Sequence, residues 1–315
     1  PPRIRFLVAA AALLLLGIAI GFVPDHLVPP DNRFARVGPG SGFWLLLFAF
    51  SILAADAVAK LAPGPLARLA VLAGAIGVLA VLLVSGHWDG LSIMREYAGR
   101  ADSFWREAAQ HVRLALGSLV AAVIVGLPLG IACARLPALR AVALPILNII
   151  QTIPSMAMYG LMMVPLGLLA ANVPLAAAIG IRGVGAAPAY LALFLYSLLP
   201  VAANTLVGLS EVPRAVLDAA DGMGMTRGQR LFRIELPLAL PVILAGIRIV
   251  LVQNIGLVTI AALIGGGGFG TFVFQGIGQA ATDLVLLGAI PTIALAFAGA
   301  MLLDALIDGV KGARA

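Results

Sequence analysis

Apolar runs of roughly 17 to 25 residues, separated by short polar connectors, recur from one end of the chain to the other, and each is long enough to carry a helix across hydrocarbon. The runs are rich in Leu, Ala, Val, Ile and Gly and lack the alternation of polar and apolar positions that marks the strands of a membrane barrel. Of the 315 residues 62% are hydrophobic and only 11% charged. A water-soluble globule, with charge at about a quarter of its residues, needs far more polar surface than this. The fold class is therefore all-α and polytopic, with about eight transmembrane helices.

The spans read from the sequence are Phe6 to Val23, Phe43 to Leu61, Leu66 to Ser85, His111 to Ala134, Ala141 to Val164, Ala187 to Asn204, Leu238 to Ile264 and Asp283 to Ile307. The first three form an N-terminal module, residues 1–100, closed by the polar stretch "HWDGLSIMREYAGRADSFWREAAQ". The other five belong to a second module, residues 101–315. Arg3 and Arg5 ahead of an apolar run mimic a signal peptide, but no small-x-small cleavage pattern follows Val23, so a retained anchor is expected. Between Pro165 and Pro188 the apolar sequence is broken by Pro174 and glycines, which leaves a re-entrant segment or a short extra helix open.

Lys and Arg set the orientation. With the N-terminus inside, Arg3, Arg5, Lys60, Arg68, Arg135, Arg140, Arg214, Arg227, Arg230, Arg233, Lys311 and Arg314 fall in the cytoplasm, against Arg33, Arg36, Arg95, Arg100, Arg106 and Arg182 outside. Both termini are then expected to be cytoplasmic. The net charge of +6 is spread over span ends without an aromatic-basic patch, so nucleic acid is not an expected partner. The one cysteine, Cys133, lies in an apolar run and reads as a packing residue.

One connector stands apart: "DAADGMGMTRGQRLFRIELPLALP", from Asp218 to Pro241. Ser210 reads as the cap of a helix with Pro213 in its first turn, and Gly222 and Gly224 stop that helix. Thr226 and Gln229 read as a capping box that starts a second short helix ending before Pro237. Helices this short are marginal alone in water and must pack on something. Ala219 and Ala220 offer a shallow surface, and Met223, Met225, Leu231 and Phe232 offer adaptable apolar contacts. These features suit a docking element; an amphipathic loop on anionic lipid, with Arg227, Arg230 and Arg233 toward the headgroups, is the alternative.

Asp218, Ala219, Ala220, Gly224, Ile234, Leu236 and Pro237 match the pattern Glu-Ala-Ala, three residues, Gly, nine residues, Ile-x-Leu-Pro, and so the segment resembles that of binding-protein-dependent ABC importer permeases. Asp218 is the one departure, shorter by a methylene but of the same charge. "LPLALPVILAGIR", "TIAALIGGGGFGTFVFQGI", "VGLPLGIACARLP" and "IIQTIPSMAMYGL" look like the glycine betaine and choline subgroup, and the resemblance covers about Gln110 to Asp308. It implies that segment 210–237, with Asp218, Ala219, Ala220, Gly222, Gly224, Ile234, Leu236 and Pro237, docks an ATP-binding cassette subunit. It also implies a substrate-binding protein on the other face and a second copy or a paralogous permease beside this one in a bacterial inner membrane. ATP and Mg would be held by the partner ATPase, with no cofactor and no catalysis on this chain. The chain has no G-x-x-x-x-G-K-[ST], and "GGGGFG" lacks the Lys and Ser or Thr of a phosphate loop, so this run reads as a turn or a close helix approach.

Polar residues inside spans usually face a cavity or the bundle interior. Asn148, Gln151, Thr152, Gln253 and Asn254 are the translocation-pathway candidates, with interhelical hydrogen bonding as the equal alternative. Tyr159, Phe194 and Tyr196 read as packing residues, with stacking on the solute as the alternative. His26, His87 and His111 are too dispersed for a metal site and read as interfacial. Arg248 is expected to snorkel or pair with a carboxylate, and Asp304 and Asp308 to face water or an arginine. A permease for another small solute such as an amino acid, an ion-coupled secondary transporter and a non-transporting scaffold are the competing functions. The near absence of Asp, Glu and Lys from span centres weighs against ion coupling.

Overall fold

In the computed structural model residues 1–29 and 35–312 are described; Arg33 and Arg314 of the charge reading lie outside them. Among the described residues eight helices are long and apolar enough to cross a membrane. The first three are α1 (Pro2–Leu27), α2 (Ser41–Leu61) and α3 (Pro65–Val84), followed by the short α4 (Ser92–Ala98). Prolines at the first turns of α1 and α3 cost nothing, because the N–H they lack would have no helical partner there.

α5 (Ala101–Arg135) has 35 residues, about 52 Å, and so projects well beyond the hydrocarbon at the end that precedes His111. The expected span from Ala141 to Val164 is instead two helices, α6 (Pro137–Thr152) and α7 (Ser155–Asn172), broken at Ile153 and Pro154. Proline disfavours the helical conformation of the residue before it, and Ile153 is extended at φ −67°, ψ 128°. α7 runs on through Pro165, and the undecided stretch that follows holds one short helix, α8 (Pro174–Ala178). α9 (Ala186–Ser210) ends at the connector containing α10 (Arg214–Gly222) and α11 (Arg227–Arg230). α12 (Leu236–Ala261), α13 (Gly270–Gly278) and α14 (Thr282–Gly312) complete the chain.

α9 is the axis of the bundle, packed against α5 on one side and α12 on the other. Without a hydrophobic drive between helices in lipid, close backbone approach through small residues supplies the dispersion contact that holds them. Gly126 and Gly130 on α5 admit α9: a Cβ at Gly130 would lie 2.6 Å from the Ala202 carbonyl oxygen. Gly208 on α9 meets Ala239, and Gly246 on α12 meets Asn204. Around these seams Leu114, Leu119, Leu193, Val201, Val250 and Ile255 form the main buried cluster.

The N-terminal helices join the core at α14. α3 packs along it, and Arg68 pairs with Asp308 at 2.7 Å. Toward the other end Arg36 reaches Glu96 at 3.1 Å and Asp283 at 3.9 Å. Trp88 Nε1 donates to the Gly17 carbonyl at 2.8 Å, fastening the connector after α3 onto α1. Gly130→Leu should lower the thermal unfolding temperature in detergent through about 1–3 kcal/mol of overpacking. Gly77→Leu, on α3 where nothing lies within 4 Å of a built Cβ, should not.

Candidate coupling segment and membrane cleft

Ser210 does not cap the first connector helix. It is the last residue of α9, its hydroxyl donating back to Val207 O at 2.8 Å, and Pro213 stands at the cap of α10. The end of α10 is a Schellman turn: Met225 N–H donates to Ala220 O at 3.2 Å and Gly224 N–H to Asp221 O at 3.0 Å. This turn needs a left-handed residue, and Gly224 supplies it at φ +75° with open space around it. Gly222 has neither a positive φ nor a crowded Cβ position. Asp218 and Ala219 are exposed, whereas Ala220 is 1% exposed and turned inward, so the shallow surface read from both alanines is formed by Ala219 alone. Met223 and Phe232 are each 69% exposed.

The capping box is present: Thr226 Oγ1 accepts from Gln229 N–H at 3.3 Å, and Gln229 Oε1 accepts from Thr226 N–H at 2.9 Å. The helix it starts does not end before Pro237. α11 passes through a π turn, Leu231–Glu235, directly into α12, whose first turn holds Pro237. Proline tolerates that position, and the widened turn just ahead of it takes up the crowding between the ring and the carbonyl four residues back. Ile234 and Leu236 are half-buried, Leu236 packing against the cluster of Leu209, Ala239 and Ile243.

The π turn also builds an ionic hub. Glu235, 3% exposed, accepts from Arg230 Nε at 2.9 Å and from Arg135 at the end of α5. Arg230 in turn pairs with Asp221 on α10 at 2.5 Å. One carboxylate thus ties α10, through Arg230, to the start of α12 and the end of α5. The Arg230 guanidinium is held still more firmly in its charged form, first by its hydrogen bond to Glu235.

Within the membrane region the polar candidates separate. Asn254 is fully buried and saturated: its Nδ2 donates to Ser118 Oγ and to Ser197 Oγ at 3.0 Å each, joining α12, α5 and α9. Arg248 pairs with Asp304, linking α12 to α14. Gln151 and Gln253 instead meet at a cleft of about 280 Å³ beside the α6–α7 break, shared with Ile153, Ser155, Tyr196 and Leu257. Gln151 Nε2 donates to Tyr196 O at 2.7 Å, and the Tyr196 hydroxyl donates to Ile153 O at 2.5 Å, which braces the unwound turn. Asn148 is exposed outside the cleft, and Thr152, also exposed, returns its hydroxyl to Ile149 O at 2.7 Å.

At the opposite end from α10 the glycine run is a clamp. Gly265, Gly267 and Gly268 have positive φ. Glu107 accepts from Gly268 N–H at 2.6 Å, Gln110 donates to Gly266 O at 3.1 Å, and His111 Nδ1 accepts from Phe269 N–H at 3.2 Å. His111 is fully buried rather than interfacial, its Nε2 lying 3.0 Å from Ile255 O.

Residues 126–312 match the family described as binding-protein-dependent transport system inner membrane component. The chain belongs to that family. This permease also matches, over residues 1–94, the family described as the N-terminal domain of the ABC transporter permease YehY. It is 40% identical over 202 residues to the osmoprotectant import permease protein OsmW of Salmonella typhimurium, covering 64% of this chain and 87% of that one. It is 36% identical over 190 residues to the glycine betaine/carnitine/choline transport system permease protein OpuCB of Bacillus subtilis, covering 60% of this chain and 80% of the relative. In fold it resembles a solved chain of the MetNI methionine ABC transporter in an inward facing conformation, at TM-score 0.54 and 22% identity over 66% of this chain and 96% of that one. The permease is thus a multi-pass membrane component of an ABC transport system.

Glu235, Ser118, Ser197, Ser155 and Glu107 were not among the residues expected to matter, and Tyr196 was weighed for packing and stacking but not for its hydroxyl. Glu235 carried the one usable signal, an arginine five residues earlier, but that spacing meets on a helix only when the turn is widened to the π form. Glu235→Ala should lose about 1–3 kcal/mol of stability by stranding Arg230 and Arg135, with solvent at half-exposed Arg135 softening the cost. Glu235→Gln should keep the fold and weaken the grip of α10 on α12. Unfolding in detergent and ATP-dependent uptake in vesicles, measured on both variants, separate the two effects.

Proposed function

We propose that the permease is the membrane subunit of an ATP-driven importer for compact osmoprotectants of the quaternary-ammonium or zwitterionic class. The names of its relatives support this substrate class, and the observation that carries the mechanism is the exposed α10–α11 segment wired through Glu235 to the membrane helices. On this reading the α10 face is cytoplasmic, with both termini on that side. Separate ATP-binding cassette subunits, holding ATP and Mg, grip Asp218, Ala219, Met223 and Phe232, while Gly222 and Gly224 shape the turn between the two helices.

Closure of the ATPase pair displaces α10. Arg230 and Glu235 pass that displacement to α12 and α5, and Ile234, Leu236 and Pro237 form the stiff entry into the membrane. The central helices then shift between two packings, because packed interfaces switch rather than bend continuously. A binding protein delivers solute at the glycine-clamp face, and a second permease, either another copy or a homologue, completes the path. An ion-coupled carrier would need an accessible carboxylate at depth, and Asp304 is engaged by Arg248. Met223→Glu should abolish copurification of the ATPase subunit and ATP-dependent uptake of radiolabelled glycine betaine, while membrane insertion and unfolding temperature stay unchanged. Uptake that persists without ATP, or an ATPase that still copurifies with Met223→Glu, would count against this reading.

A further inference from the structure

The α6–α7 break gathers polar side chains that the fold leaves unsaturated in the membrane region. Gln253 lies eight residues short of the end of α12, about 12 Å along the helix, and Tyr196 ten residues from the start of α9, about 15 Å. Neither Gln253 nor Ser155 makes a side-chain hydrogen bond among the described residues, and both are partly exposed. Gln151 commits one amide N–H to Tyr196 O, which leaves its other N–H and its carbonyl oxygen. A primary amide is costly to leave unpaired against lipid. Unwound backbone such as Ile153–Pro154 is tolerated at this depth only inside protein or along a water-filled cavity. The Ile153 carbonyl is answered by Tyr196, so it is the unpaired Gln253 and Ser155 that assign this wall to a wet path.

The lining then selects a chemistry. Gln151, Ser155 and Gln253 offer N–H and O–H donors and amide acceptors, and Ile153, Tyr196 and Leu257 offer apolar and aromatic walls, with no ionised group among the six. A solute of net charge would meet no countercharge here. A zwitterion brings its own: amide and hydroxyl donors suit its carboxylate, while the aromatic ring and amide oxygens suit a diffuse cation. At about 280 Å³ the cleft falls just under the usual range for small-molecule sites, about 300–1,000 Å³, and so suits a compact solute. We infer that the cleft formed by Gln151, Ser155, Tyr196 and Gln253 is a second selectivity site, within the permease itself, for compact net-neutral zwitterions. This rests on the importer function proposed above.

The test uses the whole transporter, permease with its ATPase and binding protein, in proteoliposomes, with glycine betaine as the zwitterion and choline as the net cation. Gln253→Glu adds a carboxylate of nearly the same shape and should raise the choline-to-betaine uptake ratio about tenfold over wild type, the binding protein being identical in both. Gln253→Leu should lower betaine uptake severalfold with the permease assembly intact by size exclusion, and Gln253→Asn should restore part of it. An unchanged ratio in Gln253→Glu, alongside wild-type vesicles that accumulate betaine, would overturn the cleft and leave the importer function standing. So would a Gln253→Leu variant whose loss of uptake comes from a permease assembly that falls apart, since the amide would then be joining subunits. Wild-type vesicles that accumulate neither probe would overturn the functional reading and the cleft with it.

Discussion

Lipid offers no hydrogen-bond partner, and that single constraint organises this molecule. Each polar group at depth must find a mate inside the protein or stand where water reaches it. Asn254 finds two serines, one on each neighbouring helix, and so registers α12 against α5 and α9 at one point. Gly126, Gly130, Gly208 and Gly246 let those helices approach closely enough for such short side chains to meet. Small-residue seams and the buried amide are thus two parts of one device: the seams bring backbones together, and the amide fixes their rotation and height. Gln151 and Gln253, left outside that arrangement, gain significance by contrast.

Glu235 applies similar logic at the membrane boundary. A carboxylate that is 3% exposed needs its charge answered, and Arg135 and Arg230 approach it from different elements. The π turn is what makes the second pairing possible, because it sets residue 235 one turn above residue 230. The same widened turn lets α11 run into α12 past Pro237 without a break. A connector that sequence rules divide into two short helices is therefore one short helix, α10, hinged at Gly224 to a long one. On the proposed mechanism, displacement of α10 reaches a continuous helix rather than a loose loop, and little of it is lost before the membrane.

Much of this was legible in advance. Hydropathy marks spans because burial in lipid demands it residue by residue, and the seven motif positions from Asp218 to Pro237 pointed to the family that the matches show. The misreadings share a cause: local signals were judged without their partners. Pro154 sits among apolar residues, so hydropathy joined α6 and α7 where backbone sterics part them. Ser210 has the chemistry of a cap, but its hydroxyl is used by the helix it ends. Gln253 and Asn254 are adjacent in sequence and both primary amides, yet a helix turns successive residues by about 100°, which sends one to the cleft and the other into the core. His111 looked interfacial because its burial depends on a glycine loop more than 150 residues away.

The place of the N-terminal helices follows from α14. Asp304 and Asp308 are four residues apart, one turn, and so lie along the same stripe of that helix. Asp304 reaches Arg248 on α12, and Asp308 reaches Arg68 at the start of α3. α14 therefore carries adjacent carboxylates that serve opposite neighbours, one in the core and one in the extension. Each pair is only partly buried, and alone would contribute modestly. Their value lies in position: any tilt of α14 that follows α12 must either carry α3 along or stretch the Arg68–Asp308 pair. The second clasp, through Arg36 to Asp283 near the other end of α14, resists the same rotation from a lever arm of about 38 Å, the length of the 25 residues between Asp283 and Asp308. The extension is thus clasped to α14 toward both of its ends, and α14 in turn to α12 through Asp304.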